Sequence, residues 1–390
     1  MTSRQEKGRQ YAGHPTIFAR ATGYFRVERI DGQWWLITPD GHATLSIGLN
    51  HLDDTDLRYP HNFDVWQSRY GSRPRWIKAV TDDLTHWGFN TIGWTRQWVS
   101  ERHHHDIDWV TPLNLGHGHE WSVDELRGTD MPYVLQLTVA SIEGWNGNPH
   151  WPDVFSPAFD DHCAWIARQY CSRAADDPML VGYFLSDIPS WLPHAAGGNF
   201  AGLPGSATTS RAVTLADVAE KYYATICGHI RRYDPHHLIL GDRYNGNMGI
   251  PEEVLRAAAP YVDVLSVQYF PGNDAAAQLT MRDHLAQWSS AIDRPVLVAD
   301  IGNCAPTSLN PDRDCGLADH AARGRHYVDA LSALVDQPWL IGWHWCSYLE
   351  NTARGWGLKD GYDEPYADLI DPLRAFNHQA LTRRSAHDRL

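Results

Sequence analysis

The run LVGYFLSDIPSW (residues 180–191) decides the fold, and PVLVADIGNC (295–304) repeats its design. Each is an apolar, strand-like stretch that stops at a carboxylate, Asp187 or Asp300, before Pro, Gly or Trp turns the chain. A buried carboxylate is costly as core filler, yet the C-terminal ends of strands are where α/β barrels keep their chemistry. Two such carboxylates fit the acid and base of a bond-cleaving pair, provided that the chain brings both to one barrel face.

Outward from these runs, residues 24–49 read as hairpins, YFRVERI, DGQWWLITPDG and HATLSIGL, with Asp31-Gly32 and Asp40-Gly41 as turn signals. The last of these is almost continuously apolar over 45–49, as in a strand buried on both faces, and ends at Asn50-His51. Strands and helices then alternate. The strand-like runs are FNTIGWT (89–95), a stretch from MPYVLQLTV (131–139) to near Glu143, LVGYFLSD (180–187), HLILGDRY (237–244), VDVLSVQYF (262–270), RPVLVAD (294–300) and LIGWHWCSYLEN (340–351). Helical spacing covers 76–87, 159–172, 215–232, 251–259, 279–290 and 318–335, and ADLIDPLRAFNHQAL (367–381) closes the chain.

Eight strands separated by helices predict an α/β fold, a single (β/α)8 TIM barrel with N-terminal β-hairpins. A doubly wound sheet is the competitor, but no glycine-rich phosphate loop follows the first strand. The expected organisation is a polar arm (1–23), one barrel with its hairpins (24–378) and a polar tail (379–390), the hairpins closing the barrel bottom or packing on its side.

The 390 residues are 43% hydrophobic and carry a formal net charge of −14. With no polybasic run, nucleic acid and anionic membranes are poor partners, and no apolar stretch of about 18 residues predicts a membrane span. The first residues, MTSRQEKGRQYAGHP, lack an apolar core, so no secretory signal is expected. None of the six cysteines has zinc-ligand spacing. Cys163, Cys171 and Cys346 read as buried thiols, and Cys304 with Cys315 would pair only in an oxidising compartment. A cytoplasmic location with free thiols is the expectation. The 18 Trp and 17 Tyr are an unusual share; their flat faces suit the C–H faces of sugar rings.

In a barrel the strand ends share one pocket. They supply Asn50 and His51, Trp94 and Arg96, Glu143 and Trp145, Ser186 and Asp187, Asp242 and Arg243, Gln268 and Tyr269, Asp300 and Asn303, and Trp343, His344 and Glu350. Carboxylates, hydrogen-bonding groups and aromatic platforms (Trp94, Trp145, Trp191, Trp343 and Trp345) suit a neutral polyhydroxylated ligand. Other readings stand beside this one. Asp187 would cap the next turn, Asp300 would pair with Arg243 or Arg96, and Asp242 would pair with Arg243; Glu143 and Glu350 are the substitutes if either Asp fails. The consecutive His103, His104 and His105 read as a solvated loop, no metal or cofactor is implied, and no GxSxG elbow supports a serine hydrolase.

Four segments carry a resemblance to the retaining clan of (β/α)8 glycoside hydrolases, in its β-agarase-like branch. GYFLSDIPSW (182–191) resembles its GYF…NEPSW segment, PVLVADIG (295–302) its PV…EFG segment, and DGQWWLITPDGHATLSIGLN (31–50) its (W/F)-x-L-x-x-P-x-G lead into the first strand. GLKDGYDEPYADLIDPLRAFN (357–377) is similar to its closing PY segment and final helix. The resemblance implies an oligosaccharide substrate, Asp187 at the position of the acid/base ending the fourth strand and Asp300 at that of the nucleophile ending the seventh. Both are Glu in the clan, and Ser186 stands where an Asn contacts the sugar 2-hydroxyl. Each shorter side chain retracts a carboxyl, so the pair is expected about 2–3 Å wider than the roughly 5–5.5 Å of retaining enzymes, toward the roughly 6.5–9.5 Å of inverting ones. Asn50, His51, Trp94, Trp145, Trp191, Arg96, Glu143, Asp242, Arg243, Gln268, Tyr269, Trp343 and Glu350 are then sugar-binding candidates. A saccharide-binding barrel without hydrolysis, a metal-dependent barrel enzyme and a homo-oligomer stay open.

Overall fold

Asp31 and Gly32 both adopt positive φ, the geometry of a two-residue hairpin turn whose twist matches its strands. They join β1 (Arg26–Ile30) to β2 (Gln33–Ile37), and β2 pairs antiparallel with β3 (Ala43–Thr44). The computed structural model describes residues 11–60, 62–97, 118–144, 151–191, 213–313, 315–351 and 355–386.

The next eight strands are β4 (Ser46–Leu49), β5 (Thr91–Ile92), β6 (Tyr133–Gln136), β7 (Leu180–Asp187), β8 (Leu238–Asn245), β9 (Leu265–Gln268), β10 (Val296–Ile301) and β11 (Leu340–Trp345). All neighbouring pairs are parallel and β11 returns to β4, so the sheet closes. β7 and β10 are the fourth and seventh barrel strands. Helices such as Arg73–His86, Leu215–Tyr233, Ala275–Ile292 and His320–Ser332 cross between strands on the outside. Thr214 and Asp217 form a capping box at one of them, satisfying amide groups the first turn leaves open.

Strand alternation builds two apolar layers. Val134, Val181, Phe184, Leu238, Leu240, Val264, Leu297 and Ile341 fill the interior, joined by Phe25 and Leu36 from the hairpin. The hairpin therefore closes the barrel bottom. Outward residues such as Leu135, Tyr183, Ile239, Val298 and Trp343 pack on the helices.

Three details depart from expectation. The third strand stops at Gln136, so Glu143 lies in the following loop, where its backbone bridges to Pro189. The closing helix runs Ala367–Ala386, through the stretch read as the start of a polar tail. Cys304 and Cys315 form a disulfide, with Cα atoms 5.5 Å apart, and the other four cysteines are buried thiols. The loop they flank folds back on itself, which a sequence separation alone does not reveal. Among the described residues no helix is long and apolar enough to cross a membrane.

Candidate functional site

At the open end of the barrel, local irregularities decide which side chains face inward. The β7–β8 register shifts between Phe184 and Asp187, and a bulge of this kind re-aims the residues around it. Ser186 turns outward to the Tyr222 hydroxyl, 2.9 Å away, and Asp187 turns in. On β8, Gly241 has φ +76°, which reverses the alternation after Leu240. Asp242 therefore faces the helix outside and Arg243 faces the interior. Register shifts on β10 do the same for Asp300.

Arg243 joins the two carboxylates. Its Nη1 donates to Asp187 Oδ1 at 2.9 Å, and its Nη2 lies 3.2 Å from Asp300 Oδ2. The guanidinium is fully buried and rests between the rings of Trp94 (5.1 Å) and Phe184 (5.6 Å). Gln268 Nε2 donates to the same Oδ1 of Asp187. Asn50 Nδ2 donates to Asp300 Oδ1 at 2.9 Å, and Asn50 Oδ1 accepts from the Trp94 amide. Gly93 makes room for this amide, since a Cβ there would stand 2.0 Å from Asn50 Oδ1.

His51 completes the cluster. Its Nδ1 faces the Arg96 carbonyl and its Nε2 lies 3.3 Å from Asp300 Oδ2. The two ring nitrogens thus face a carbonyl and a carboxylate oxygen, both acceptors. His51 is held there at φ +58°, a left-handed conformation that costs an L-residue about 1–2 kcal/mol. Among the described residues Arg243 contacts both carboxylates and His51 contacts Asp300, and all four side chains are buried. Burial alone would raise the Asp300 carboxyl; the His51 hydrogen bond and charge, Arg243 and Asn50 outweigh it and hold that carboxyl below the ordinary aspartate range.

Not every strand-end candidate joins this cluster. Trp343 and Trp345 share the outward parity of β11: the Trp343 indole donates to the Tyr327 hydroxyl and Trp345 packs on the same ring. His344 points inward, 2.9 Å from Ser46 Oγ, where burial and Arg243 push it down to about 3. Tyr269 bonds His284 on the outer helix. Trp191 is buried against Trp151, Tyr222 and Tyr223, a core packing and not an open platform. Asp242 makes no ion pair with Arg243; it accepts from the Ser186 amide and the Tyr223 hydroxyl, and burial raises it to about 7. Glu350 lies beyond β11, bound by Thr307, Asn310 and Tyr366. Asn303 is tied to Arg323 and His326. Trp145 and His103–His105 lie outside the described residues.

Three inward or adjacent groups escaped the sequence reading. Gln136 ends β6 on the parity of Val134, a signal present in YVLQ. Glu120 sits beside Arg96 and takes a hydrogen bond from Trp94; burial lifts it to about 7 against both. No local pattern marked it. Cys346 brings its sulfur near His51 and Asp300, the three ligand atoms lying within 4.8 Å of one another. Arg243 Nη2 lies 3.2 Å from Asp300 Oδ2, a fixed positive charge beside this group.

No family model matches the chain. It is 21% identical to β-agarase B and 23% identical to β-agarase A of Vibrio sp. (strain JT0107), each over 94% of this chain. The chain spans about half the length of these relatives, 49% and 47%. Among solved structures it is similar to the agarase AgWH50C, with TM-score 0.70 and 21% identity over 95% of this chain and 66% of that one. An exo-β-agarase gives 0.67 at 18% identity, over 94% of this chain and 66% of that one. At these identities the structural likeness shows a shared barrel fold.

Proposed function

We propose that this chain is a glycoside hydrolase that cleaves an agarose-type saccharide with the carboxylate pair Asp187 and Asp300. The observation that carries this reading is the cluster itself: two carboxylates from the fourth and seventh strands, spanned by one buried guanidinium. The agarase names among its relatives support the substrate class.

Asp300, kept ionised by His51, Arg243 and Asn50, is the nucleophile or the base that activates water. Asp187 delivers the proton to the leaving oxygen. Its Oδ1 accepts from Arg243 and Gln268. Arg243, coming from the barrel interior, holds both carboxyls in place.

Incubation with agarose-derived oligosaccharides tests this, with NMR of the new anomer. Retention assigns Asp300 as nucleophile, inversion as base. Asp187→Asn and Asp300→Asn should each lose about 10²–10⁴-fold in turnover while keeping fold and saccharide binding. Wild-type turnover in either variant removes that residue from the mechanism. A second reading, a barrel that binds saccharide without cleaving it, rests on the hold of Arg243 on both carboxylates; binding without product in the wild type would select it.

A further inference from the structure

Gln136 is buried to 3% exposure, and neither atom of its amide has a hydrogen-bond partner among the described residues. Val134 packs in the barrel interior and Leu135 outside, so Gln136 points inward. It pairs in register with Phe184, the ring that carries Arg243. Two more atoms of this interior lack partners, Arg243 Nε and His344 Nδ1. The unpaired amide therefore lies among groups that approach the carboxylate pair from below.

The other carboxamides of the site are engaged. Asn50 is used at both ends, by Asp300, the Ala299 carbonyl and the Trp94 amide, and the Gln268 nitrogen is bonded to Asp187. Ser186 has turned away to Tyr222. A buried amide without partners destabilises a fold, and native structures rarely keep one unless something outside the chain satisfies it. A carboxamide offers one acceptor and two donors, the complement of a sugar hydroxyl.

We propose that Gln136 is a saccharide-recognition residue whose amide pairs with a ring hydroxyl of the pyranose held at Asp187 and Asp300. The inference rests on the saccharide reading above but not on hydrolysis. It assigns a neutral pyranose as the ligand class and places its hydroxyl on the interior side of the site. Substitution by an apolar side chain of similar length removes the contact and also the orphaned polar group. Binding and stability should then move in opposite directions, which a merely structural glutamine would not produce.

The test compares the wild type with Gln136→Met and Gln136→Leu. Binding of an agarose-derived oligosaccharide is read by calorimetry, and stability by thermal melting. At least tenfold weaker binding with an unchanged or raised Tm in either variant is the expected result. Binding within tenfold of wild type overturns the proposal; the amide then faces internal water. A lowered Tm in both variants also overturns it, because the side chain is then structural. A second arm uses 4-nitrophenyl β-D-galactopyranoside and its monodeoxy analogues. For one analogue the wild type and Gln136→Met should bind equally, since the missing hydroxyl and the missing amide are one contact; an equal loss for all analogues overturns the proposal. Wild type that binds and shows this dependence but releases no product refutes hydrolysis alone, and wild type that binds no saccharide refutes both.

Discussion

Replacing Arg243 by methionine keeps most of the side-chain volume between Trp94 and Phe184 but removes the group that joins Asp187 to Asp300. Both carboxylates are buried, and the guanidinium that contacts each of them is then gone. Breaking a buried ion pair by deleting one partner costs about 3–5 kcal/mol, because the remaining charge has no water to turn to. An unfolding entropy of about 2.1 cal/mol/K per residue gives roughly 0.8 kcal/mol/K for this chain, so the melting temperature should fall by about 4–6 °C at pH 7. The loss should also depend on pH. Without the guanidinium the Asp300 carboxyl rises from its lowered wild-type position, so it takes up a proton at a higher pH in the variant. The deficit is therefore largest at neutral pH and shrinks on acidification. Differential scanning calorimetry of both proteins between pH 4 and pH 8, with turnover on agarose-derived oligosaccharides, reads both effects. An Arg243→Met protein that melts within about 1 °C of wild type across that range, or that keeps wild-type turnover, would refute the claim that this arginine organises a desolvated pair.

Asp53, Asp56, Asp242 and Glu120 are raised to about 7, in each case mainly by burial. Folding therefore retains protons on them that the unfolded chain releases near pH 4. Their stabilisation is complete below that range and is lost as pH rises toward 7, so the melting temperature should be higher at pH 5 than at pH 8, and Asp242→Asn should flatten the difference. Asp300 acts in the opposite sense: its lowered carboxyl contributes above the ordinary aspartate range and is lost as pH falls through its folded-state value, so Asp300→Asn should weaken the dependence below pH 4. Thiol titration of the denatured protein without reductant should find four free sulfhydryls, and six after reduction, given the Cys304–Cys315 bond; six from the start would refute the pairing. Glu120→Gln should remove a titration near pH 7 from the kcat/KM profile, measured on the same oligosaccharides, if that carboxyl communicates with the site through Trp94 and Arg96.

The barrel was legible because period and order are local properties. Apolar runs separated by helical spacing predict eight parallel strands, and the Asp31-Gly32 turn is specified by two adjacent residues. Strand order also places Asp187 and Asp300 at the ends of the fourth and seventh strands, whatever the details of packing. Which way a side chain points at a strand end is different. Gly241, the shift after Phe184 and the shifts on β10 each reset the alternation, so Asp242 leaves the site, Arg243 enters it and Ser186 turns to Tyr222. Trp343 on β11, Tyr269 after β9 and Glu350 after β11 meet Tyr327, His284 and a loop from after β10. The pairing of Cys304 with Cys315 and the approach of Glu120 to Trp94 likewise depend on how distant loops fold back. The sequence by itself determined the barrel and the two strands that carry carboxylates, because both follow from repeat pattern and order. Only the tertiary structure decided that Arg243 spans the pair, that His51 faces Asp300 and that the Gln136 amide is left unpaired among the described residues, because bulges and long-range contacts, which have no local signature, set those directions.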